Sequence, residues 1–205
     1  KNFYKNHLAL LNEIIVSSNS SVAFLKKIGF TSKFLTYPWS ETFNLNKKKI
    51  KKPTFLFFGN LSGLGSRSSI IEIFNSIYPK LKKKFGNGKF QILIGGKNHE
   101  KSYLNKIELN RYPEIKNLGF INDIDSIASK CNAFIFPGKV PIGNRSRLLS
   151  CLSSGILIIA SKSVTLGNNL FKNKYNSLIA KNSNEFVDLM YFAYKNKNIV
   201  NQLKK

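Results

Sequence analysis

The chain has 205 residues, of which 42% are hydrophobic, and it carries a formal net charge of +23 at pH 7. This length and apolar content predict a folded protein with a well-filled core and exclude intrinsic disorder. We find no apolar run near the roughly 20 residues that cross a bilayer, and no signal peptide. We therefore expect a cytoplasmic protein that at most touches a membrane surface.

The positive charge comes mostly from lysine and is spread over the whole chain. A dedicated nucleic-acid-binding protein presents a basic face instead, so we do not expect nucleic acid as a partner. Lysine-rich runs at residues 47–52 and 82–84 make peripheral contact with anionic lipid headgroups a milder alternative.

The cysteines and histidines give no sign of metal binding. Cys131 and Cys151 lie beside predicted buried elements and lack metal-ligand spacing, and His7 and His99 are isolated. We predict two reduced core cysteines and no metal site.

The first 52 residues predict an incomplete unit. Its elements are a helix at 1–11, a strand at 13–18, a helix at 19–28 capped by Asn19 or Ser20, and a strand at 33–37. One strand-helix-strand unit cannot bury both faces of a sheet. We therefore expect residues 1–40 to be the end of a truncated amino-terminal Rossmann-like domain, and the polar residues 41–52 to be a linker.

From residue 53, strands and helices alternate. The predicted strands are 54–58, 90–94, 115–118, 133–136, 156–160 and 177–180. The predicted helices run from 67 or 68 to 85, and over 100–109, 123–130, 147–152, 168–171 and 184–194, the last capped by Ser183 or Asn184. Alternation favours crossover connections, so we predict an α/β domain at 53–195, a Rossmann-like parallel sheet with helices on both faces, followed by a tail at 196–205.

The central unit, residues 132–161, reads as strand, glycine loop, helix, strand. Its loop contains Gly143, Asn144 and Arg147, which combine a flexible backbone with a guanidinium group. Open α/β sheets bind ligands at the carboxyl ends of their strands, so this loop suits a phosphate-bearing ligand. Residues 126–184 contain eight Lys or Arg and no Asp or Glu, which also favours an anionic ligand.

Two further glycine-rich loops leave strands toward the same edge, at residues 59–67 and 95–97. They contain Gly59 and Gly96, which let backbone approach a ligand closely, and the first also contains Arg67. The G-x-G-x-x-G spacing of a dinucleotide fingerprint is absent, and no Gly-Lys-Ser/Thr occurs. Both the dinucleotide fingerprint and the Walker-type loop are therefore excluded.

Five segments follow one another in an order and spacing that indicate a family: FFGNL (57–61), ILIGG (92–96), IKNLGFI (115–121), AFIFP (133–137) and residues 143–161. This order and spacing resemble the donor-binding half of GT-B glycosyltransferases of the group 1 / family 4 kind, over about residues 8–194. The resemblance implies two Rossmann-like domains with a cleft between them, the second of which holds a nucleotide-sugar.

The resemblance also implies site roles. Asn60 stands where the family commonly has a phosphate-binding arginine, Arg67 lies near its usual lysine, and Arg147 precedes the helix of the E-x7-E motif. Phe120 and Ile121 match a segment that borders the nucleobase. The predicted substrate-binding residues are Gly59, Asn60, Arg67, Gly96, Phe120, Ile121, Gly143, Asn144, Arg147 and Ser150.

The E-x7-E glutamates would fall at Ile142 and Ser150, and neither residue is acidic. Two hypotheses follow. The first is a hexosyltransferase-like enzyme that uses a nucleotide-diphosphate sugar as substrate, with no cofactor and no metal, and moves the sugar to a sugar, lipid or protein acceptor such as a cell-envelope glycan. Its catalytic residues are unknown, because the family's acid/base residue belongs to the amino-terminal domain. The alternative is a non-catalytic, degenerate GT-B binding module.

Overall fold

The computed structural model describes residues 2–35, 50–100, 102–141 and 146–196. The first of these ranges contains α1 (Asn2–Leu8), β1 (Ile15–Val16), α2 (Asn19–Lys27) and β2 (Lys33–Phe34), and β1 pairs with β2 in parallel. Where the sequence predicts a strand over 13–18, the structure has β1, which is only two residues long. The predicted cap of α2 is wrong, because the Ser18 hydroxyl accepts the Ser21 N–H at 3.1 Å.

The main sheet follows. Its strands are β3 (Thr54–Phe58), β4 (Gln91–Gly95), β5 (Ile115–Asn117), β6 (Ala133–Phe136), β7 (Ile158–Ser161) and β8 (Leu178–Ala180). They lie in the order β5-β4-β3-β6-β7-β8, and every neighbouring pair is parallel. The chain runs outward from β3 to β5 and then returns to place β6 on the other side of β3. This reversal creates the switch point at which open α/β sheets bind ligands.

Apolar strands explain why the sheet forms. Successive residues of a strand point to opposite faces, yet all four residues of β6 are buried, and so are the first four of β3. Both faces of the sheet are therefore covered. The covering helices are α3 (Leu64–Glu72), a π-helical segment (Ile73–Ile77), α4 (Tyr78–Phe85), α5 (Ile124–Ala128), α6 (Ser146–Ser153), α7 (Lys162–Thr165) and α8 (Ser183–Lys195). The predicted fold class is confirmed.

The helix predicted from residue 67 or 68 to 85 begins earlier, at Leu64, and is interrupted by the π-helical segment. The wider π turn coincides with the burial of Ile73, Phe74 and Ile77 against the sheet. The last helix also begins earlier than predicted, because Asn182 caps it by accepting the N–H groups of residues 184 and 185 at 3.0 Å each.

Two predicted helices are wrong. Among the described residues of the region 100–109, short 3-10 turns form at Tyr103–Lys106 and Leu109–Arg111 in place of an α-helix. The Asn105 side chain donates there to the carbonyls of His99 and Glu100, and such bonds compete with helix formation. The region 168–171 forms turns for the same reason, since Asn168 Oδ1 accepts the Leu170 N–H at 2.8 Å.

The predicted domain boundaries stay a prediction, because residues 41–49 of the expected linker and 197–205 of the expected tail lie outside the described residues. The amino-terminal unit does contact the main domain, as the Asn19 N–H donates to the Gly167 carbonyl at 3.0 Å. Within the described ranges, no helix combines the length and the apolar character that crossing a membrane requires.

Candidate nucleotide-sugar site

The carboxyl ends of β3, β4 and β5 are drawn together through glycine backbone. The Gly59 N–H donates to the Gly95 carbonyl at 3.0 Å, and the Gly96 N–H donates to the Gly119 carbonyl at 2.7 Å. Gly59 and Gly96 have φ angles of +137° and +130°, in the region that disfavours side chains. A Cβ at Gly96 would overlap the carbonyl group of Gly59, so this close approach requires glycine.

The loop after β3 leads directly into α3, whose N-terminus faces this edge. Side chains cap three other helices: Ser18 caps α2, Asp123 caps α5 and Asn182 caps α8. The cap residue of α3 is Gly63, and no side chain in the described ranges makes a capping bond to it. A helix N-terminus without a side-chain cap, after a glycine-rich loop at a strand end, is suited to bind an anion.

Arg147, in the first turn of α6, reaches across to the end of β3. Its guanidinium donates to the Phe58 carbonyl and, at 3.3 Å, to the Ser66 hydroxyl. It also lies 5.8 Å from the ring centroid of Phe57 and 5.9 Å from that of Phe136. A Cβ at Gly59 would overlap this guanidinium. Arg147 therefore links α6 to the strand end and to the first turn of α3.

Arg67 lies in the first turn of α3, next to Ser66 in the chain, so both predicted arginines stand at this turn, although their guanidinium groups have different partners. The Arg67 side chain is exposed, and its guanidinium carbon lies 5.9 Å from the ring centroid of Tyr103. With Ser62 and Lys106, these two side chains line a cavity of about 100 Å³. The edge thus carries two cations within one helix turn of the uncapped end of α3.

Asn60 shapes the loop after β3. Its side-chain oxygen accepts the Ser62 N–H at 3.1 Å, and its backbone carbonyl accepts the Gly63 N–H at 3.3 Å. This Asx turn sets the entry into α3. The Leu61 N–H donates to the Lys97 carbonyl at 2.8 Å, which joins this loop to the one after β4.

Phe120 and Ile121 follow β5 at the same edge. The Phe120 side chain is 68% exposed, whereas Ile121 packs against Gly95 so closely that a Cβ there would overlap it. Phe120 therefore presents an aromatic face beside the carboxyl ends of β4 and β5.

The remaining predicted residues are placed differently. Gly143 and Asn144 lie outside the described residues. Ser150 is only 7% exposed, and its backbone carbonyl accepts the hydroxyls of Ser153 and Ser154 at 3.0 and 2.7 Å. It lies within α6, one turn beyond Arg147.

The two cysteines are free thiols. Burial raises the pKa of Cys131 to about 12, and it raises that of Cys151 well above 9.0 against the opposing charge of Arg147. Both thiols are therefore protonated at neutral pH and are poor nucleophiles. In the part of the chain that the structure describes, no three His, Cys, Asp or Glu residues are grouped so as to hold a metal ion.

Sequence reasoning missed two residues of this edge. Ser66 falls in the predicted loop 59–67, yet it is 2% exposed and contacts Arg147. Tyr103 falls in the segment expected to be a polar helix, and no sequence signal places it beside Arg67. Both contacts join residues more than 30 positions apart, which periodicity does not report.

Comparisons with known proteins agree with this fold. The six-strand parallel sheet flanked by helices matches the fold of GT-B glycosyltransferase structures. The sequence model of the family described as "Glycosyl transferases group 1" matches residues 52–196, so the chain belongs to this family. No curated protein matches the sequence significantly.

Solved structures show the same fold at low identity. S. aureus TarM aligns with a TM-score of 0.77 and 12% identity, over 100% of this chain and 41% of TarM. Anabaena HepE in complex with UDP and glucose aligns with 0.74 and 15%, over 94% of this chain and 56% of HepE. The pneumococcal O-GlcNAc transferase GtfA in complex with UDP and GlcNAc aligns with 0.71 and 15%, over 100% and 43%. The chain thus spans about half the length of these proteins or less.

Proposed function

We propose that this domain binds the diphosphate of a nucleotide-sugar at the N-terminus of α3, and that the whole protein transfers the sugar to an acceptor. The observation that carries the proposal is the uncapped α3 N-terminus, which begins at Gly63 at the carboxyl end of β3. Backbone N–H groups and the helix dipole favour a phosphate there. HepE and GtfA, which share this fold, were crystallised with UDP and a sugar, and this supports a UDP-sugar as the donor.

The other residues take roles around the diphosphate. Arg67 is exposed on the first turn of α3, so its guanidinium can pair with a phosphate oxygen. Arg147 contacts the Phe58 carbonyl, so its main task is to hold the loop that begins at Gly59. Phe120 offers its exposed ring to the nucleobase. Gly143 and Asn144 stay assigned from the loop chemistry and the resemblance, and Ser150 from the resemblance alone.

Transfer breaks the bond between the anomeric carbon and the leaving diphosphate, and the acceptor hydroxyl oxygen forms the new bond to that carbon, while its proton passes to the leaving diphosphate. Negative charge grows on the diphosphate as the old bond breaks. The N–H groups at the N-terminus of α3, together with Arg67 in its first turn, would stabilise this charge most in the transition state. The protein's own cations supply the positive charge in this mechanism, and the nucleotide-sugar is a substrate, so we propose no cofactor.

Calorimetric titration of the full-length protein with UDP and GDP tests the site. We expect Arg67→Ala to weaken binding by about tenfold or more, as the loss of a charged hydrogen bond of about 1.5–3 kcal/mol predicts. Arg147→Ala should also weaken binding sharply, through the displaced loop. Lys89→Ala removes one exposed positive charge just before β4, at the opposite edge of the sheet, and should leave the affinity unchanged. Unchanged affinity in both arginine variants would refute the assignment.

One observation favours the second candidate, a binding module without transferase activity. Ser150 stands where the family has a glutamate that holds the donor ribose, and its side chain is almost fully buried within α6. A serine has one neutral hydroxyl oxygen, so it cannot accept two ribose hydroxyls on two separate, charged oxygens as a carboxylate does. Turnover of any nucleotide-sugar by the full-length protein would exclude this candidate, whereas UDP binding without turnover of UDP-glucose or UDP-GlcNAc would favour it.

The acceptor and the cellular location also belong to the proposal. We propose a sugar, lipid or protein as the acceptor, with a cell-envelope glycan or lipid as the leading choice. We also propose that the protein is cytoplasmic and contacts anionic membrane lipids. Of the two lysine-rich runs, residues 82–84 form the last turn of α4, whereas 47–49 lie outside the described residues. Salt-sensitive sedimentation with phosphatidylglycerol vesicles, but not with phosphatidylcholine vesicles, would support membrane contact.

A further inference from the structure

A second cavity lies away from the ends of β4 and β5, at the carboxyl ends of β6, β7 and β8. It has a volume of about 390 Å³ and lies between two walls. Helix α3 and the π-helical segment form one wall, and α8 forms the other. Its floor is formed by Glu72, Ile77 and Phe186, and Lys139, Lys162 and Lys181 stand among its lining residues. The nucleotide-sugar site proposed above uses none of these side chains.

The sheet topology brings the three lysines together. Lys162 and Lys181 come directly after β7 and β8, and Lys139 comes three residues after β6. Adjacent parallel strands lie about 4.8 Å apart, so one lysine from each strand end produces a row of ammonium groups along the rim. All three lysines are exposed. Two carboxylates lie beside them, because Glu72 pairs with Lys139 and Glu185 Oε2 accepts the Lys181 backbone N–H at 2.8 Å. Within the described residues, no ion pair occupies the ammonium groups of Lys162 and Lys181, so these two side chains are the ones suited to bind an anionic group.

Hydrogen bonds fix the wall that carries Lys139. The Gly138 N–H donates to the Ser161 hydroxyl at 3.2 Å, and the Ser163 hydroxyl donates to the Gly138 carbonyl. The Lys139 N–H donates to the Ser68 hydroxyl at 3.1 Å. These bonds tie the start of the loop after β6 to α3 and to the start of α7, so this wall of the cavity is preformed.

The floor differs from the rim. Ile77 and Phe186 are fully or almost fully buried, and the Glu72 side chain, 8% exposed as a residue, pairs with Lys139 at 3.2 Å. A carboxylate at depth repels a bare anion but accepts hydrogen bonds from hydroxyl groups. A ligand with a phosphate at one end and a hydroxyl-bearing body at the other satisfies both regions.

We propose that this cavity is a second ligand site that binds a phosphorylated sugar, with the phosphate at Lys162 and Lys181 on the rim and a hydroxyl group on Glu72. Such a ligand has two sources, a free sugar phosphate or the phosphosugar end of an acceptor. The proposal stands on the cavity itself and does not depend on nucleotide binding at α3.

Calorimetric titration of the full-length protein with glucose 6-phosphate, inorganic phosphate and glucose tests the site. We expect saturable binding of one glucose 6-phosphate, and Lys162→Ala/Lys181→Ala should weaken it by about tenfold or more, as the loss of charged hydrogen bonds predicts. The control Lys89→Ala/Lys130→Ala removes the same charge from exposed lysines at the amino ends of β4 and β6 and should leave binding unchanged. Equal weakening in both double variants would mean diffuse attraction to a basic protein and would overturn the proposal, as would the absence of binding.

Further titrations test which part of the ligand each region of the cavity binds, and whether the ligand is a free sugar phosphate or an acceptor. Glu72→Gln should weaken glucose 6-phosphate and strengthen inorganic phosphate, whereas equal binding of the two ligands to the wild type would overturn the role of the floor. UDP titrated into the Lys162→Ala/Lys181→Ala variant should bind as in the wild type, and competition between UDP and glucose 6-phosphate would overturn a separate site. If the wild type does not bind UDP, the proposed function is refuted, but the titration with glucose 6-phosphate still tests the second site. Mass spectrometry after incubation with UDP-glucose distinguishes the sources, because an acceptor gains a hexose and a free effector is recovered unchanged.

Discussion

Replacing Gly96 by alanine tests whether the close approach of β3 and β4 holds the site edge together. Gly96 has a φ of +130°, and a Cβ built there would overlap the carbonyl group of Gly59. The obstacle is backbone, so no side chain can rotate to make room. The two strand ends must separate instead.

The cost has two parts. A non-glycine residue in such a conformation costs about 1–3 kcal/mol. Separation of the ends also weakens the Gly59–Gly95 and Gly96–Gly119 hydrogen bonds, and a typical hydrogen bond contributes about 0.5–1.5 kcal/mol net. We expect Gly96→Ala to lower the free energy of unfolding by about 3 kcal/mol or more, a large fraction of the roughly 5–15 kcal/mol that stabilises a typical protein.

Urea unfolding of the full-length protein, followed by circular dichroism, measures this change. Gly88→Ala is the matched control, because Gly88 also has a positive φ, +69°, but a Cβ there meets nothing within 4 Å. It should cost only the left-handed conformation, about 1–2 kcal/mol. If Gly96→Ala costs no more than Gly88→Ala, backbone overlap at this edge is not what requires glycine. Gly96→Ala should also weaken UDP binding, whereas Gly88→Ala should not.

Two further predictions concern buried groups. Burial raises the pKa of Glu114, but hydrogen bonds from the Tyr78 hydroxyl and the Gly88 N–H outweigh it, so the pKa lies below 4.5. The ionised carboxylate therefore adds stability above this pH, and that stability is lost as the pH falls through the folded-state pKa. We expect Glu114→Gln to lower the free energy of unfolding by about 1–3 kcal/mol at neutral pH, by a margin that shrinks in acid; a constant margin would contradict this. Because the thiol pKa values of Cys131 and Cys151 are raised, iodoacetamide should modify neither in the native protein at neutral pH and both in urea, as mass spectrometry can count; rapid modification of the folded protein would show that these thiols are accessible and ionised.

The sequence predicts the strands best, because their signal is local and strong. The apolar runs at 54–58 and 133–136 match β3 and β6 residue for residue. A strand buried on both faces must be apolar at every position, and few other short elements have this pattern. The parallel sheet then follows from the alternation with helices, and so does the gathering of the glycine-rich loops at one edge.

The sequence predicts polar segments poorly. The region 100–109 was expected to be a helix, and 162–165 was not, yet α7 forms at the second. The Asn105 side chain competes with the helix through local bonds to the His99 and Glu100 carbonyls. At α7 the partner is distant instead, because the Ser163 hydroxyl donates to the Gly138 carbonyl 25 positions earlier. Local propensity carries no information about such partners.

The sequence alone predicted that strands and helices alternate. It also placed Gly59, Gly96 and Arg147 in loops that follow the carboxyl ends of strands, where a ligand binds, and it predicted that this ligand is anionic. Only the tertiary structure decided what Arg147 contacts, because its guanidinium reaches the Phe58 carbonyl through the placement of β6 beside β3. The same strand order aligns Lys139, Lys162 and Lys181 around one cavity. Lysines 19 or more positions apart become neighbours through strand pairing, and a one-dimensional pattern does not contain that pairing.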